Sequence, residues 1–168
     1  MELVERTSKA IDDKEYTMGV FLDLSKAFDT VNHSILLHKL EYIGIRGVVI
    51  EWFNNYLSNR KQVVKYKTSI SNKMAVKSGV AQGSVLGPLI FLIHVNDITN
   101  SSQSMFFILS ADDTNLFLSD KDISNLYKTM NQELKQVNLW FTANKLSLNV
   151  NMTQFMIFKS KKKEIVSW

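Results

Sequence analysis

The sequence predicts an α+β fold, a split βαβ (ferredoxin-like) antiparallel sheet with helices packed on one face. Three observations lead to this prediction. An apolar, β-branched run precedes a helical repeat, two apolar runs flank an acidic turn, and a long amphipathic segment separates that pair from a last apolar run. The core elements therefore follow the order strand, helix, hairpin, helix, strand.

The first third of the chain contains one extended pattern among helical ones. A short helix is predicted over residues 2 to 12, and the run from Thr17 to Leu24 (TMGVFLDL) is typical of a buried strand. Apolar residues at helical spacing then predict a helix over Val31 to Ile43, ended by Gly44, and another over Arg46 to Leu57.

The middle of the chain changes to a strand pattern. Gln62 to Lys67 alternates apolar and polar residues, and Met74 to Val76 resumes the pattern, so we expect a two-stranded ribbon. A glycine-spaced loop from Gly79 to Gly87 leads into a helix predicted over Leu89 to Ile98.

The last third supplies the remaining strands of the predicted sheet. Met105 to Ala111 and Asn115 to Ser119 read as strands joined by the turn Asp112-Asp113-Thr114. An amphipathic helix is predicted over Ile123 to Trp140, and Phe155 to Phe158 forms the last strand. The hairpin therefore carries acidic residues at its tip.

Composition restricts the class of protein. At 168 residues, 45% of them hydrophobic, the chain is long enough for one domain with a sizeable core. The absence of cysteine excludes disulfides and thiolate metal sites, and a net charge of +4 permits a polyanionic partner. Because the sequence has no long uncharged apolar run and its start is unlike a targeting peptide, we expect an intracellular protein, cytoplasmic or nuclear, without a membrane partner.

Three aspartates end strands that are otherwise apolar. Asp23 closes the first strand, and Asp112 and Asp113 lie at the hairpin turn. Carboxylates gathered at strand ends repel one another unless a cation lies between them, and their oxygens suit Mg²⁺. The alternative is ordinary turn chemistry, for which Asp-Asp is common.

Three ordered motifs resemble motifs A, B and C of the reverse transcriptases of jockey-like retrotransposons that lack long terminal repeats. They are FLDLSKAFDTVNH (Phe21 to His33), SGVAQGSVLGPLIFLIHVND (Ser78 to Asp97) and SADDTNLF (Ser110 to Phe117). NKLSLNVNMTQFMIF (Asn144 to Phe158) is similar to the fourth motif. The resemblance extends from about Lys14 to Ser160 and implies a polymerase palm fold.

The resemblance implies an RNA-directed DNA polymerase, a nucleotidyltransferase that adds deoxynucleotides to a DNA primer on an RNA template. It assigns Asp23, Asp112 and Asp113 as the catalytic carboxylates that hold two Mg²⁺ or Mn²⁺ ions. RNA template, DNA primer and deoxynucleoside triphosphates (dNTPs) are the implied partners.

Two further positions are implied to bind the incoming nucleotide. Phe28 matches the family's steric gate, which selects deoxynucleotides, and Gln82-Gly83 lies in the loop that contacts the template base and the nucleotide. From the residues alone, the more common interpretation of Phe28 is a core residue, and the glycines equally permit a tight loop.

Lysines interleaved with Tyr66 in the ribbon predict a basic face toward nucleic acid, of which we select Lys61, Lys65 and Lys67. A solvated ribbon is the alternative. Asp29 is predicted to cap a helix.

The three histidines have no spacing that suggests a metal site. His33, His38 and His94 are therefore predicted to be structural.

Two residues depart from the family pattern. Ser110 replaces an aromatic residue before Ala-Asp-Asp, and Met152 replaces the lysine of Asn-x-x-Lys-Thr, which the family associates with protonating pyrophosphate.

Because the chain begins just before motif A, we expect residues 1 to 168 to be a partial domain, a palm without most of the fingers and without the thumb. A weakly active or inactive copy is predicted, with a non-catalytic remnant or co-opted binding module as the alternative.

Overall fold

The computed structural model of the protein describes residues 2–81, 83–110 and 113–160. These residues fall into two compact units. The sheet unit takes its residues from Met1–Ser25, Asp97–Ala143 and Ser147–Trp168, and the helical unit consists of Lys26–Asn96 and Asn144–Leu146.

Six helices and eight strands are assigned in the described residues, together with a 3₁₀ helix over Asn96–Ser101. The helices are α1 (Glu2–Asp12), α2 (Ala27–Thr30), α3 (His33–Tyr42), α4 (Val48–Leu57), α5 (Gly87–Val95) and α6 (Ile123–Ala143). The strands are β1 (Tyr16–Leu22), β2 (Lys61–Gln62), β3 (Lys65–Tyr66), β4 (Ser69–Ile70), β5 (Met74–Ala75), β6 (Phe106–Ser110), β7 (Asp113–Asp120) and β8 (Gln154–Phe158).

The sheet unit is built on a four-stranded antiparallel sheet in the order β6-β7-β1-β8. The predicted hairpin is present, since β6 and β7 pair from Phe106 opposite Phe117 to Ser110 opposite Asp113. The α+β class predicted from the sequence is confirmed.

Strand β1 lies between two partners and is buried along almost its whole length, as its apolar sequence predicts. Gly19 is required in this strand because a Cβ there would come within 2.8 Å of the Phe117 ring on β7. The missing side chain therefore makes room for an aromatic ring in the core.

Helices α1 and α6 cover parts of this sheet. Arg6 of α1 lies 4.0 Å over the ring of Phe106, on the face that also carries Phe117. Helix α6 contacts β1 and β7, and its apolar residues recur at helical spacing and are buried (Leu126, Met130, Val137 and Phe141).

In the helical unit the predicted cap residue is wrong. Asp29 lies within α2, whereas Asn32 is the N-cap of α3 and its side chain accepts a 3.1 Å hydrogen bond from the Ile35 amide. The cap lies three residues later than predicted because the chain first makes the separate short helix α2.

Other boundaries differ from the predictions only locally. Helix α5 ends at Val95 and continues as the 3₁₀ helix, and the ribbon consists of two short ladders, β2 with β5 and β3 with β4. Among the helices of the described residues, none combines the length and the apolar character needed to cross a membrane.

Candidate active site at the ends of strands β1 and β7

Two of the predicted carboxylates lie at neighbouring strand ends. Leu22, the last residue of β1, is paired with Thr114 of β7. Asp23 directly follows Leu22 in the chain, and Asp113 directly precedes Thr114. Both aspartates line a cavity of about 270 Å³, together with Phe21, Leu22, Asn115, Met152 and Gln154. The sheet therefore brings together two acids that are 90 residues apart in the chain.

The segment after β1 is held in place by the chain just before β8. Asn149 donates a hydrogen bond from its side-chain amide to Asp23 Oδ2 at 2.8 Å, and its backbone amide donates to the Asp23 carbonyl oxygen at 2.8 Å. The Ser25 amide donates to the Ser147 carbonyl oxygen at 2.9 Å. These bonds fix both the backbone and one carboxylate oxygen of Asp23.

Asn149 is a site residue that the sequence reasoning did not select. It occupies the first position of the Asn-x-x-Lys-Thr pattern. This position in the motif is the sequence feature from which Asn149 could have been selected as a site residue. The amide donor fixes the orientation of the Asp23 carboxylate through one of its two oxygens.

Of the two hairpin acids in the predicted set, the structure describes Asp113. Asp113 is exposed and opens β7 opposite the exposed Ser110. Asp112 lies outside the described residues, as does Gln82. Within the part of the chain that is described, no three histidine, aspartate or glutamate side chains cluster closely enough to hold a metal ion.

The fourth motif contributes Met152 to the cavity that Asp23 and Asp113 line. Its side chain is 63% exposed, which is unusual for methionine and leaves room for a longer, charged side chain. The family's lysine position therefore lies beside the carboxylates.

Phe28 has features of both interpretations that the sequence left open. In α2 of the helical unit its ring packs against Phe91 of α5, with centroids 4.9 Å apart and planes inclined by 35°. The residue as a whole is nevertheless half-buried and not part of the fully buried core.

The glycine-spaced loop is held against the second half of motif A. Gly79 donates from its amide to the Val31 carbonyl oxygen at 2.8 Å, and Val80 donates to that of Phe28 at 2.8 Å. Gly79 has φ +85°, and a Cβ there would lie 2.7 Å from the Asp29 carbonyl oxygen. This glycine is required by both backbone conformation and space.

Gly83 shares the positive φ, +82°, but a Cβ there would meet no atom within 4 Å. It is exposed at the tip of the loop. The conformation, rather than protein packing, accounts for glycine at this position.

His33 joins the same two segments. Its Nε2 atom lies 2.8 Å from the Gly79 carbonyl oxygen, as expected for a structural histidine. The sequence reasoning did not foresee that this histidine positions the loop, although it stands at the end of the motif A segment.

The three selected lysines lie at exposed positions on, or directly after, the short strands of the ribbon. Lys61 is in β2, Lys65 is in β3, and Lys67 directly follows β3, with its Nζ atom 5.6 Å from the centroid of the Tyr66 ring. Lys61 also lines a separate cleft at the base of the ribbon.

Paired carboxylates at the ends of adjacent antiparallel strands suit the class of nucleotidyltransferases. The chain belongs to the reverse transcriptase (RNA-dependent DNA polymerase) family, whose model matches residues 2–166.

Curated relatives come from retrotransposons. The chain is 34% identical over 110 residues to the probable RNA-directed DNA polymerase from transposon X-element of Drosophila melanogaster, covering 62% of this chain and 11% of the relative. It is 29% identical over 141 residues to the RNA-directed DNA polymerase from mobile element jockey of the same organism, covering 79% of this chain and 15% of the relative. The chain thus spans only a small part of these proteins.

Solved structures with a similar fold include two telomerases, each in complex with a fragment of telomeric RNA. The Candida tropicalis enzyme matches with a TM-score of 0.63 at 14% identity, covering 93% of this chain and 29% of that one. The Candida albicans enzyme matches with a TM-score of 0.61 at 16% identity, covering 92% and 31%. At these identities the likeness concerns the fold.

Proposed function

We propose that this chain is the palm of a retrotransposon RNA-directed DNA polymerase, which transfers deoxynucleotides from dNTPs to a primer 3′-hydroxyl on an RNA template. One observation carries the proposal. Asp23 and Asp113 line a single cavity at the adjacent ends of β1 and β7, and Asp112 directly precedes Asp113 in the sequence.

The strand order supports the finer architecture. When β1, β6, β7 and β8 are numbered first to fourth along the chain, the order of strands across the sheet is second, third, first, fourth. Helices occur in the connection between the first and second of these strands and in the connection between the third and fourth. That order is the one a split βαβ palm requires.

The donor chemistry of the cavity fits divalent cations. Carboxylate oxygens of Asp23, Asp112 and Asp113 are the hard ligands that Mg²⁺ and Mn²⁺ prefer, and the Asn149 amide leaves the second oxygen of Asp23 for such an ion. Two bound ions would supply activation of the primer hydroxyl and stabilisation of the departing pyrophosphate.

The helical unit would supply nucleotide and strand recognition. The Phe28 ring serves as the gate against a 2′-hydroxyl, and the Phe91 contact holds that ring in position. Gln82 and Gly83 contact the nucleotide and the template base, and Lys61, Lys65 and Lys67 face nucleic acid.

The test is primer extension on poly(rA)/oligo(dT) with Mg²⁺ or Mn²⁺, using this chain joined to the flanking polymerase segments of a full-length relative. Asp23→Asn and Asp113→Asn should each abolish synthesis, whereas Asp12→Asn, at an exposed position in α1, removes the same charge and should leave it intact. Synthesis that survives Asp23→Asn would refute the proposed site.

A second candidate is a non-catalytic module that binds nucleic acid. The observation that favours it is the exposed Met152 beside the carboxylates, where the family has a lysine. Such a module would bind RNA without extending a primer even after Met152→Lys, and that outcome separates the two functions.

A further inference from the structure

The helical unit contains a second concave site, which shares no lining residue with the carboxylate cavity. It is a cleft of about 490 Å³ at the base of the ribbon. Four cationic side chains line it, against one carboxylate, that of Asp29; the cations are Lys26, Arg60, Lys61 and Lys77.

Hydrogen bonds between three segments of the chain build this cleft. The pairing of β2 with β5 sets Lys61 opposite Ala75, and the Val76 amide donates to the Arg60 carbonyl oxygen at 2.8 Å. The Ser78 hydroxyl donates to the Asp29 carbonyl oxygen at 3.1 Å, which holds the segment after β5 against α2. The four cations are therefore gathered by the fold from positions up to 51 residues apart.

The positive charge of the cleft is left available to a ligand. Among residues 2–81, 83–110 and 113–160, none of the four cations forms an ion pair with an acidic side chain. Lys26, Lys61 and Lys77 are exposed, and Arg60 is half-buried. A concentration of four cations around one acid is complementary to a chain of phosphates.

An aromatic stack extends from the same cleft. The Arg60 guanidinium carbon lies 5.5 Å from the centroid of the Tyr56 ring. Tyr56 is in turn stacked on Trp52, with centroids 5.4 Å apart and planes inclined by 12°. Trp52 is 49% exposed, so the stack ends in a large aromatic ring that solvent reaches.

We propose that the cleft and this stack together bind single-stranded RNA. The four cations bind successive backbone phosphates, and an unpaired base extends the stack of Trp52 and Tyr56. A positively charged groove beside stacked aromatic rings is the combination with which proteins hold single strands. The inference rests on the proposed function for the identity of the strand, an RNA template.

The inference also changes which ribbon lysines matter. Lys61 and Lys77 are at the base of the ribbon and line the cleft, whereas Lys65 and Lys67 belong to the β3–β4 hairpin. Binding in the cleft therefore depends on the base of the ribbon, with a smaller effect from the hairpin.

The experiment measures binding of a labelled 20-nucleotide oligo(U) RNA to the full chain by fluorescence anisotropy at several salt concentrations. EDTA is present and dNTPs are absent, so that catalysis cannot contribute. The double variant Lys61→Gln/Lys77→Gln should weaken binding about tenfold or more at low salt, and should make the slope of log affinity against log salt shallower by about 1.4, because each lost phosphate contact removes about 0.7.

The matched control is Lys128→Gln/Lys135→Gln, which removes the same charge from two exposed positions of α6. It should change affinity less than about twofold and leave the salt slope unchanged. Equal losses in the two double variants, at unchanged melting temperature, would overturn the cleft as the binding site and leave only a diffuse charge effect.

The stack is tested separately. Trp52→Ala should weaken RNA binding about tenfold without changing the salt slope, and Trp52→Phe should restore much of the affinity, because a stacked base contributes through its ring face. Unchanged affinity in Trp52→Ala would overturn the stacking part of the proposal.

Two competitors decide which phosphate source is recognised. Inorganic triphosphate should displace the labelled RNA only weakly, whereas unlabelled single-stranded RNA should displace it fully. Displacement by equimolar triphosphate would assign the cleft to a free triphosphate instead. Asp23→Asn/Asp113→Asn should retain RNA binding, so failure of the proposed catalytic site is distinguishable from failure of the cleft.

Discussion

The side-chain amide of Asn149 donates a 2.8 Å hydrogen bond to the carboxylate of Asp23, across 126 residues of sequence. The backbone amide of Asn149 also donates to the Asp23 carbonyl oxygen at 2.8 Å. Asp23 is thereby held in one orientation beside Asp113, and a carboxylate held in this way can receive a cation without first reorganising.

Asn149→Ala should weaken both the fold and the site. Loss of a hydrogen bond to a half-buried carboxylate should lower the free energy of unfolding by about 1 to 2 kcal/mol, measured by urea denaturation. The control is Asn131→Ala on α6, where an exposed side chain donates only to the Tyr127 carbonyl oxygen and the cost should be smaller. An equal loss of unfolding free energy in the two variants would show that the hydrogen bond from Asn149 to Asp23 stabilises the fold no more than an exposed one.

Mn²⁺ should stabilise the chain, because an ion between the carboxylates relieves their repulsion and binds only the native state. At ten times its Kd the ion should add about 1.4 kcal/mol and raise the melting temperature by about 3 to 6 °C. The double variant Asp23→Asn/Asp112→Asn should lose this shift, and Asp12→Asn should keep it. An unchanged melting temperature of the parent chain on addition of Mn²⁺ would contradict a metal site.

Met152→Lys should increase primer extension, because it places a proton donor in the cavity lined by Asp23 and Asp113. A general acid typically contributes about 100-fold or more. The measurement compares extension rates in the chain joined to the flanking polymerase segments of a full-length relative. Met152→Arg adds the same charge, but the guanidinium group does not release its proton. It should therefore increase the extension rate much less than Met152→Lys. Equal gains would indicate an effect of charge alone.

Gly79→Ala should destabilise the chain by more than about 2 kcal/mol, since it combines an unfavourable φ with a contact to backbone. The new Cβ would lie 2.7 Å from the Asp29 carbonyl oxygen at φ +85°. Gly44→Ala is the matched control, because Gly44 has φ +99° with no atom within 4 Å of a Cβ. There only the conformational strain of about 1 kcal/mol applies. Similar urea midpoints for the two variants would rule out the close contact.

Local patterns in the sequence were enough to predict the four main strands, the longer helices and the hairpin, but not the short helix α2 or the strand β4. The apolar run that became β1 and the helical repeat that became α6 are found within one or two residues of their predicted bounds, apart from the end of α6, which runs on to Ala143. Periodicity reports local conformation because side chains repeat every two residues in a strand and every 3.6 in a helix. Asp23 lies next to the hairpin because its strand, β1, is the neighbour of β7 in the sheet.

Only the tertiary structure decided which distant groups meet. No local pattern pairs Asn149 with Asp23 or His33 with the Gly79 carbonyl oxygen, because these contacts depend on how the sheet and the loops close. The same holds for the cleft cations, which come from separate segments of the sequence. Backbone hydrogen bonds hold these segments next to one another. Even the cap of α3 required the fold, since Asp29 and Asn32 are both good capping residues and only the position of α2 selects Asn32.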